Sequence, residues 1–165
     1  FPRLIWRMRR RYGGFIAHLG VVIAIIGITG SSAYKVEEQA TLAKGESMQV
    51  GAYTLRYDKM KRIKLYNRDI YAADLTVFKN HEDLGTITAE RRYYSKAEQP
   101  TTEVSLRSTL LEDLYVTMPA YTKDYDITLK TAVNPLQIWV WIGSFIMVFG
   151  GILAVVPGRA KGPKS

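Results

Sequence analysis

Histidine gives the clearest chemical signal in this sequence. His18 lies near the start of the apolar run GGFIAHLGVVIAIIGITG, residues 13–30. An ionisable side chain inside such a run is costly and by default indicates a function. Neutral imidazole is a common axial ligand of haem iron, and two such ligands would need a second histidine from elsewhere. A histidine that packs against a neighbouring helix fits the run equally well, so the residue types leave both interpretations open.

The remaining reactive residue types predict no catalytic site in the middle of the chain. His81 lies in the polar segment FKNHEDLG without a nearby histidine or cysteine, so we expect a solvated side chain. The absence of cysteine excludes zinc ribbons, iron–sulfur sites and cysteine nucleophiles, and is compatible with an oxidising compartment. No glycine-rich phosphate loop is present. The acidic pairs lack a nucleophile or a metal-ligand pattern: Glu37-Glu38, Glu82-Asp83 and Glu112-Asp113.

Two uncharged segments are long enough to cross a membrane. Phe15–Ala33 and Leu136–Val156 carry no formal charge, and a helix needs about 20 apolar residues to span a bilayer core. Glycines recur at helical spacing in both, Gly20 and Gly27 in the first and Gly143 and Gly150 in the second. Small residues at this spacing let backbones approach closely in lipid. We therefore predict two transmembrane helices that pack against other helices.

The basic charge excess lies outside these two segments. The net charge is +8, but residues 35–134 contain 15 basic residues and all 15 acidic ones. The other basic residues flank the apolar segments on their outer sides: Arg3, Arg7, Arg9, Arg10, Arg11, Arg159, Lys161 and Lys164. This is the positive-inside pattern, which places both termini in the cytoplasm and residues 35–134 across the membrane. Nucleic-acid binding is a poor explanation for a charge so placed.

Hydrophobic residues alternate with polar ones throughout the middle region. Four segments, AYTLRY, AADLTVF, DLYVTM and DITLKTAV, show period-two patterns. The residues expected on the buried face are Tyr53, Leu55, Tyr57, Ala73, Leu75, Val77, Leu114, Val116, Met118, Ile127, Leu129, Thr131 and Val133. Asn80 to Gly85 is expected to form a hairpin tip. These patterns predict an antiparallel sandwich or barrel of seven to nine strands, and an α+β membrane protein overall.

The predicted organisation has five parts. A basic cytoplasmic flank covers residues 1–12, and transmembrane helices cover 13–34 and 135–157. Between them lies the β-rich domain, residues 35–134, and a basic cytoplasmic tail follows at 158–165. The first residue is Phe1 and no signal-peptide pattern follows it. We therefore expect a C-terminal piece of a larger membrane protein, or one polypeptide of a split one.

Four segments in register resemble the C-terminal part of the CcmF family, the large membrane component of the haem lyase in System I cytochrome c maturation. They are RRRYGGFIAHLGVVIAIIGITGSSAY, VGAYTLRY, QPTTEVSLRSTLLEDLYV and NPLQIWVWIGSFIMVFGGILAVVP, between about Arg9 and Pro157. The resemblance implies that the β-rich domain is periplasmic and that the helices lie in the bacterial inner membrane. It does not distinguish the general lyase from a paralogue dedicated to an unusual haem-attachment motif.

The resemblance also implies a cofactor and partners. His18 corresponds to one of two transmembrane histidines that bind a haem b. Its partner histidine belongs to an earlier helix, and neither the tryptophan-rich WWD segment nor the two periplasmic histidines of the family has a match in this chain. The implied reaction joins haem to the CXXCH cysteines of an apocytochrome c. A haem chaperone delivers the haem, and another partner presents the reduced cysteines. The chain alone is not expected to perform this transfer.

The competing interpretation is a non-catalytic, membrane-anchored β domain that acts as a scaffold or docking module, with His18 merely packed. The two differ in their expectation for His18→Ala. Loss of a b-type absorbance favours the lyase interpretation, and an unchanged spectrum favours the scaffold.

Overall fold

A computed structural model describes residues 9–95 and 99–156. It divides the chain into a pair of helices and a β domain, residues 34–135. Most of the two predicted basic flanks, and Pro157, lie outside the described residues. The elements are α1 (Arg9–Ala33), β1 (Val36–Leu42), β2 (Ser47–Val50), β3 (Tyr53–Leu65), β4 (Arg68–Lys79), β5 (Glu82–Tyr94), β6 (Thr101–Glu103), β7 (Ser105–Ser108), β8 (Glu112–Tyr121), β9 (Ile127–Pro135) and α2 (Gln137–Val155).

Both helices are long and apolar enough to cross a membrane, over Arg10–Ala33 and Gln137–Val155. Only 22% and 11% of their most apolar stretches are buried within the protein, unlike the core helix of a soluble domain. The first helix begins at Arg9, ahead of the expected start at residue 13. Arginine is a good helix former, so the helix continues outward through the basic segment.

Glycines hold the two helices close together. A Cβ atom added at Gly13, Gly20 or Gly27 would collide with the backbone of α2. The same addition at Gly143 or Gly150 would collide with the backbone of α1. At the other end of the pair, the Ser31 hydroxyl donates to the Gln137 side-chain oxygen at 2.7 Å. The expectation that these glycines allow close helix packing is confirmed.

The β domain is a sandwich of two antiparallel sheets. One sheet has the strand order β1-β9-β8-β7 and the other β2-β3-β4-β5-β6. The residues predicted for the buried face are all buried, and they form the core between the sheets. The β4–β5 hairpin differs from expectation, because its loop is only Asn80 and His81, with Lys79 already paired to Glu82. Both loop residues have positive φ, 50° and 72°, as a two-residue turn with right-handed strand twist requires.

Candidate functional site

The candidate site is the exposed face of α1 around His18. Ala17 contacts α2, where a Cβ added at Gly150 would meet its backbone. His18 follows by one residue, which turns its side chain about 100° around the helix axis from that contact. It lies about 12 Å along the helix from Arg10, where the apolar span begins, at about 1.5 Å per residue. The imidazole is therefore within the predicted membrane span and points away from the line of contact with α2.

A backbone hydrogen bond fixes which imidazole nitrogen is free. Nδ1 of His18 lies 2.7 Å from the carbonyl oxygen of Gly14, one helical turn earlier. A carbonyl oxygen can only accept, so Nδ1 carries the proton and donates it. In the neutral ring, Nε2 then keeps its lone pair and faces outward. This is the tautomer of a histidine that binds a metal through Nε2 while a carbonyl orients the ring.

The surroundings of His18 are apolar and open. Val21, Val22 and Ile25 follow it at helical spacing and are all exposed. A Cβ added at Gly14 would meet nothing within 4 Å, so the helix is unobstructed on that side. The side chains that follow His18 on this face, Val22 and Ile25, are apolar. The donor chemistry and the open space both fit haem.

The other candidate residues form no metal site. Among the described residues, no group of three or more histidine, cysteine, aspartate or glutamate side chains is placed to hold a metal ion. His81 is exposed at the hairpin tip, as expected. Asp83 accepts a hydrogen bond from the Gly85 amide at 2.7 Å, and Glu37 pairs with Lys35 and Lys130 at 2.6 and 2.7 Å. These acidic residues therefore support the fold.

Glu112 connects the two sheets of the sandwich, a role that its sequence context did not indicate. The Tyr53 hydroxyl of β3 donates to Oε1 of Glu112 at 2.8 Å, and the Lys79 ammonium of β4 pairs with the same oxygen. Burial of Tyr53, and then its hydrogen bond to Glu112, raise the pKa of the phenol to about 12. A buried tyrosine donor and a lysine hold this carboxylate in place, so the cluster is structural.

Sequence and structure comparisons point to one group of proteins. The family model described as "CcmF C-terminal beta-sandwich" matches residues 33–135. Cytochrome c-type biogenesis protein CycK of Rhizobium meliloti is 30% identical over 96% of this chain and 24% of its own length. Cytochrome c-type biogenesis protein CcmF of Haemophilus influenzae is 29% identical over 93% of this chain and 24% of its own length.

Two further matches are another relative and a solved structure. Cytochrome c-type biogenesis protein NrfE of Haemophilus influenzae is 31% identical over 96% of this chain and 25% of its own length. A solved structure titled "Cytochrome c Heme Lyase CcmF" has the same fold, with a TM-score of 0.77 and 20% identity over 92% of this chain and 26% of that one. The chain therefore spans about a quarter of the length of its curated relatives.

Proposed function

Because the chain belongs to the CcmF family, we propose that it is the C-terminal portion of a cytochrome c haem lyase and that His18 is an axial ligand of a membrane-embedded haem b. The observation that carries the proposal is the hydrogen bond from Nδ1 of His18 to Gly14, which leaves Nε2 free to bind iron. The relatives are named for cytochrome c biogenesis, which supports the assignment of the reaction. The second axial ligand and the WWD segment belong to other helices of the lyase.

In the proposed reaction, the residues of this chain hold the haem and shape its surroundings. Nε2 of His18 would bind the iron, while the Gly14 carbonyl accepts the hydrogen bond from Nδ1 and so orients the ring. Val22 and Ile25 are exposed apolar side chains that make this face non-polar, and low polarity around a haem is one of the factors that set its potential. When bound, haem b supplies a one-electron redox centre.

The membrane orientation is also part of the proposal. Both basic flanks lie in the cytoplasm, and residues 35–134 lie in the periplasm, where the haem chaperone, the apocytochrome and its thiol-presenting partner act. The net charge of +8 resides entirely in the flanks, and basic residues favour the cytoplasmic side.

Orientation is testable with single cysteines, because the chain has none of its own. Tyr66→Cys lies at a fully exposed position of the β domain, and Lys161→Cys lies in the tail. A membrane-impermeant maleimide should label the first in intact cells and the second only after lysis. The reverse pattern would contradict the proposed orientation.

The haem proposal is tested on the full-length membrane protein. His18→Ala should remove or shift the b-type bands of the reduced-minus-oxidised spectrum and lower the haem measured by pyridine haemochrome. His81→Ala is the matched control, since it removes the other histidine, which is exposed in the β domain. Immunoblots must show equal protein levels, because loss of the helix would mimic loss of the ligand. Bands that persist unchanged in His18→Ala would reject axial ligation and favour the scaffold function.

A further inference from the structure

The distal half of β3 is an open strand edge. The first residues of β3, Tyr53–Arg56, pair with β2, and Tyr57 exchanges two backbone hydrogen bonds with Gly45 and Glu46. A bulge at Asp58 follows, between the pairs of Tyr57 and Lys59 with β4. From Asp58 to Leu65 the described residues include no strand on the outer side of β3. We call this segment, 58–65, the free edge.

The free edge extends past the body of the sandwich. All residues from Lys61 to Asn67 are exposed, on both faces of the strand, so the second sheet does not cover them. The second sheet contacts β3 at Tyr57, whose hydroxyl donates to the Tyr125 carbonyl in the β8–β9 turn at 3.0 Å. An edge strand presents unpaired backbone N–H and C=O groups at every second residue, which is a template for another strand. Ile63 and Leu65 add apolar surface, at 45% and 43% exposure.

The free edge is strongly basic. It carries Lys59, Lys61, Arg62 and Lys64 against a single acid, Asp58. Asp74 pairs with Lys61 at 2.6 Å and Asp69 with Arg62 at 2.7 Å. Lys59 and Lys64 have no ion pair among the described residues. A strand that comes to this edge therefore meets two ammonium groups that make no ion pair within the described residues, one on each face of β3.

The charge determines which strand can be added. A second copy of this chain would bring the same lysines to the edge, and like charges placed opposite each other destabilise a strand pair. Lysines on exposed edges commonly prevent such self-association. An acidic strand is instead attracted to this edge. Its carboxylates complement the charges of Lys59 and Lys64, and its backbone extends the sheet by one strand.

We propose that the free edge binds an extended acidic segment of another polypeptide by β-strand addition. A cleft of about 290 Å³ adjoins the start of the edge, lined by Lys44, Tyr57, Lys59, Met60, Asp124 and Tyr125. It can hold one side chain of the added strand and so fix its register. The proposal goes beyond the haem site and is independent of whether His18 binds iron.

The first experiment measures peptide binding to the full-length protein, purified in detergent, by fluorescence anisotropy. The probe is a fluorescein-labelled peptide of alternating glutamate and threonine, about eight residues long to match the free edge at about 3.3 Å per residue. One comparison peptide has glutamine in place of glutamate, and another keeps the glutamates but has alternate backbone nitrogens methylated. The proposal expects both comparison peptides to bind at least about tenfold more weakly than the probe, about 1.4 kcal/mol.

The second experiment changes the protein. The double variant Lys59→Glu/Lys64→Glu should weaken probe binding by at least about tenfold. The control Lys123→Glu/Lys164→Glu makes the same charge change outside the free edge, at an exposed residue of the β8–β9 turn and in the C-terminal tail, and should weaken binding by less than about twofold. Equal binding of the methylated peptide would show a plain cationic patch and overturn strand addition. Equal loss in the two double variants, or binding of the glutamine peptide as tight as the probe, would also overturn it.

Discussion

Gly20 and Gly143 face each other across the helix pair with reciprocal geometry. A Cβ atom added to Gly20 would lie 2.6 Å from the Gly143 carbonyl oxygen, and one added to Gly143 would lie 2.6 Å from the Gly20 carbonyl oxygen. Neither obstacle is a side chain that could rotate away, because both are backbone. In lipid, the hydrophobic effect does not favour contact between two helices over contact between a helix and acyl chains. Close packing of backbones is therefore a main source of helix association.

Gly20→Ala should therefore destabilise the helix pair. We expect a cost of about 1–3 kcal/mol, typical of a methyl group forced into a filled space, read as a lower aggregation temperature of the protein in detergent. Gly151→Ala is the control, since a Cβ there meets nothing within 4 Å. Equal effects of the two substitutions would show that the contact between Gly20 and Gly143 contributes little.

Tyr53→Phe should make the β domain less stable at neutral pH. The lost hydrogen bond has a carboxylate acceptor, Glu112, and a donor that is 1% exposed. Hydrogen bonds to charged groups contribute about 1.5–3 kcal/mol, and Glu112 keeps Lys79 as a partner, so the cost should be near the lower end. Pulse proteolysis of the β domain in the full-length protein measures it. Tyr66→Phe, which changes a fully exposed tyrosine, should have no effect.

The same substitution should remove part of the alkaline instability of the wild type. Burial and Glu112 raise the pKa of Tyr53 to about 12, against about 10 for tyrosine in an unfolded chain. Because the folded-state pKa is the higher one, the stabilisation is complete below pH about 10 and is lost as pH rises toward 12. Circular dichroism should show a weaker loss of stability over this interval in Tyr53→Phe than in Tyr66→Phe. An equal loss in the two variants would contradict this assignment.

Thr131→Val should leave the β domain as stable as it is, or stabilise it. The Thr131 hydroxyl is fully buried, and within the described residues it donates to the Met48 sulfur alone, at 3.8 Å, which is a weak acceptor. Replacing a poorly bonded buried hydroxyl with a methyl group should gain up to about 1 kcal/mol. Leu129→Ala on the same strand should instead lose about 2–5 kcal/mol. A substantial loss in Thr131→Val, measured by pulse proteolysis, would reveal a stronger partner for the hydroxyl.

His81→Gly should stabilise the β4–β5 hairpin and leave haem content unchanged. His81 has a φ of 72°, a left-handed conformation that costs a residue with a Cβ about 1–2 kcal/mol and costs glycine little. Thermal unfolding should shift upward, and the pyridine haemochrome value should stay at the wild-type level. His81→Val, which adds a branch at Cβ, should shift unfolding downward. A loss of haem in both variants would give His81 a role that its position does not suggest.

Alternation predicted four of the five interior strands of the sandwich, all except β5, and none of the edge strands. The four patterned segments became β3, β4, β8 and β9, and each of these strands has a neighbour on both sides. The strands without a prediction include β1, β2, β6 and β7, which are the edges of the two sheets. The edge strands are short, or most of their residues are exposed, as in β1. Their sequences therefore show little alternation of hydrophobic and polar residues.

The hairpin and the free edge show two other limits of sequence reasoning. Their polarity predicts a turn position for Glu82 and Asp83, yet both residues pair within the sheet near a bulge. Gly85, with its φ of 91°, follows them. The free edge depends on the difference in length between β2 and β3, which no local pattern encodes. His18 stands out in the sequence because a single ionisable residue in an apolar run is a local signal. That Nε2 of His18 is the free nitrogen could not be predicted in this way, because it depends on the hydrogen bond from Nδ1 to the Gly14 carbonyl.

The pairing of Val36 with Val133 joins the first and last strands of the sandwich at the point where the chain enters and leaves the domain. Cα atoms across such a pair are about 5 Å apart. The domain is therefore a self-contained insertion whose two ends nearly touch, and a short linker could replace it without stretching the chain between the helices. Such a module can be exchanged as a unit, so the β domain and the helix pair can acquire substitutions, or entire replacements, independently of each other.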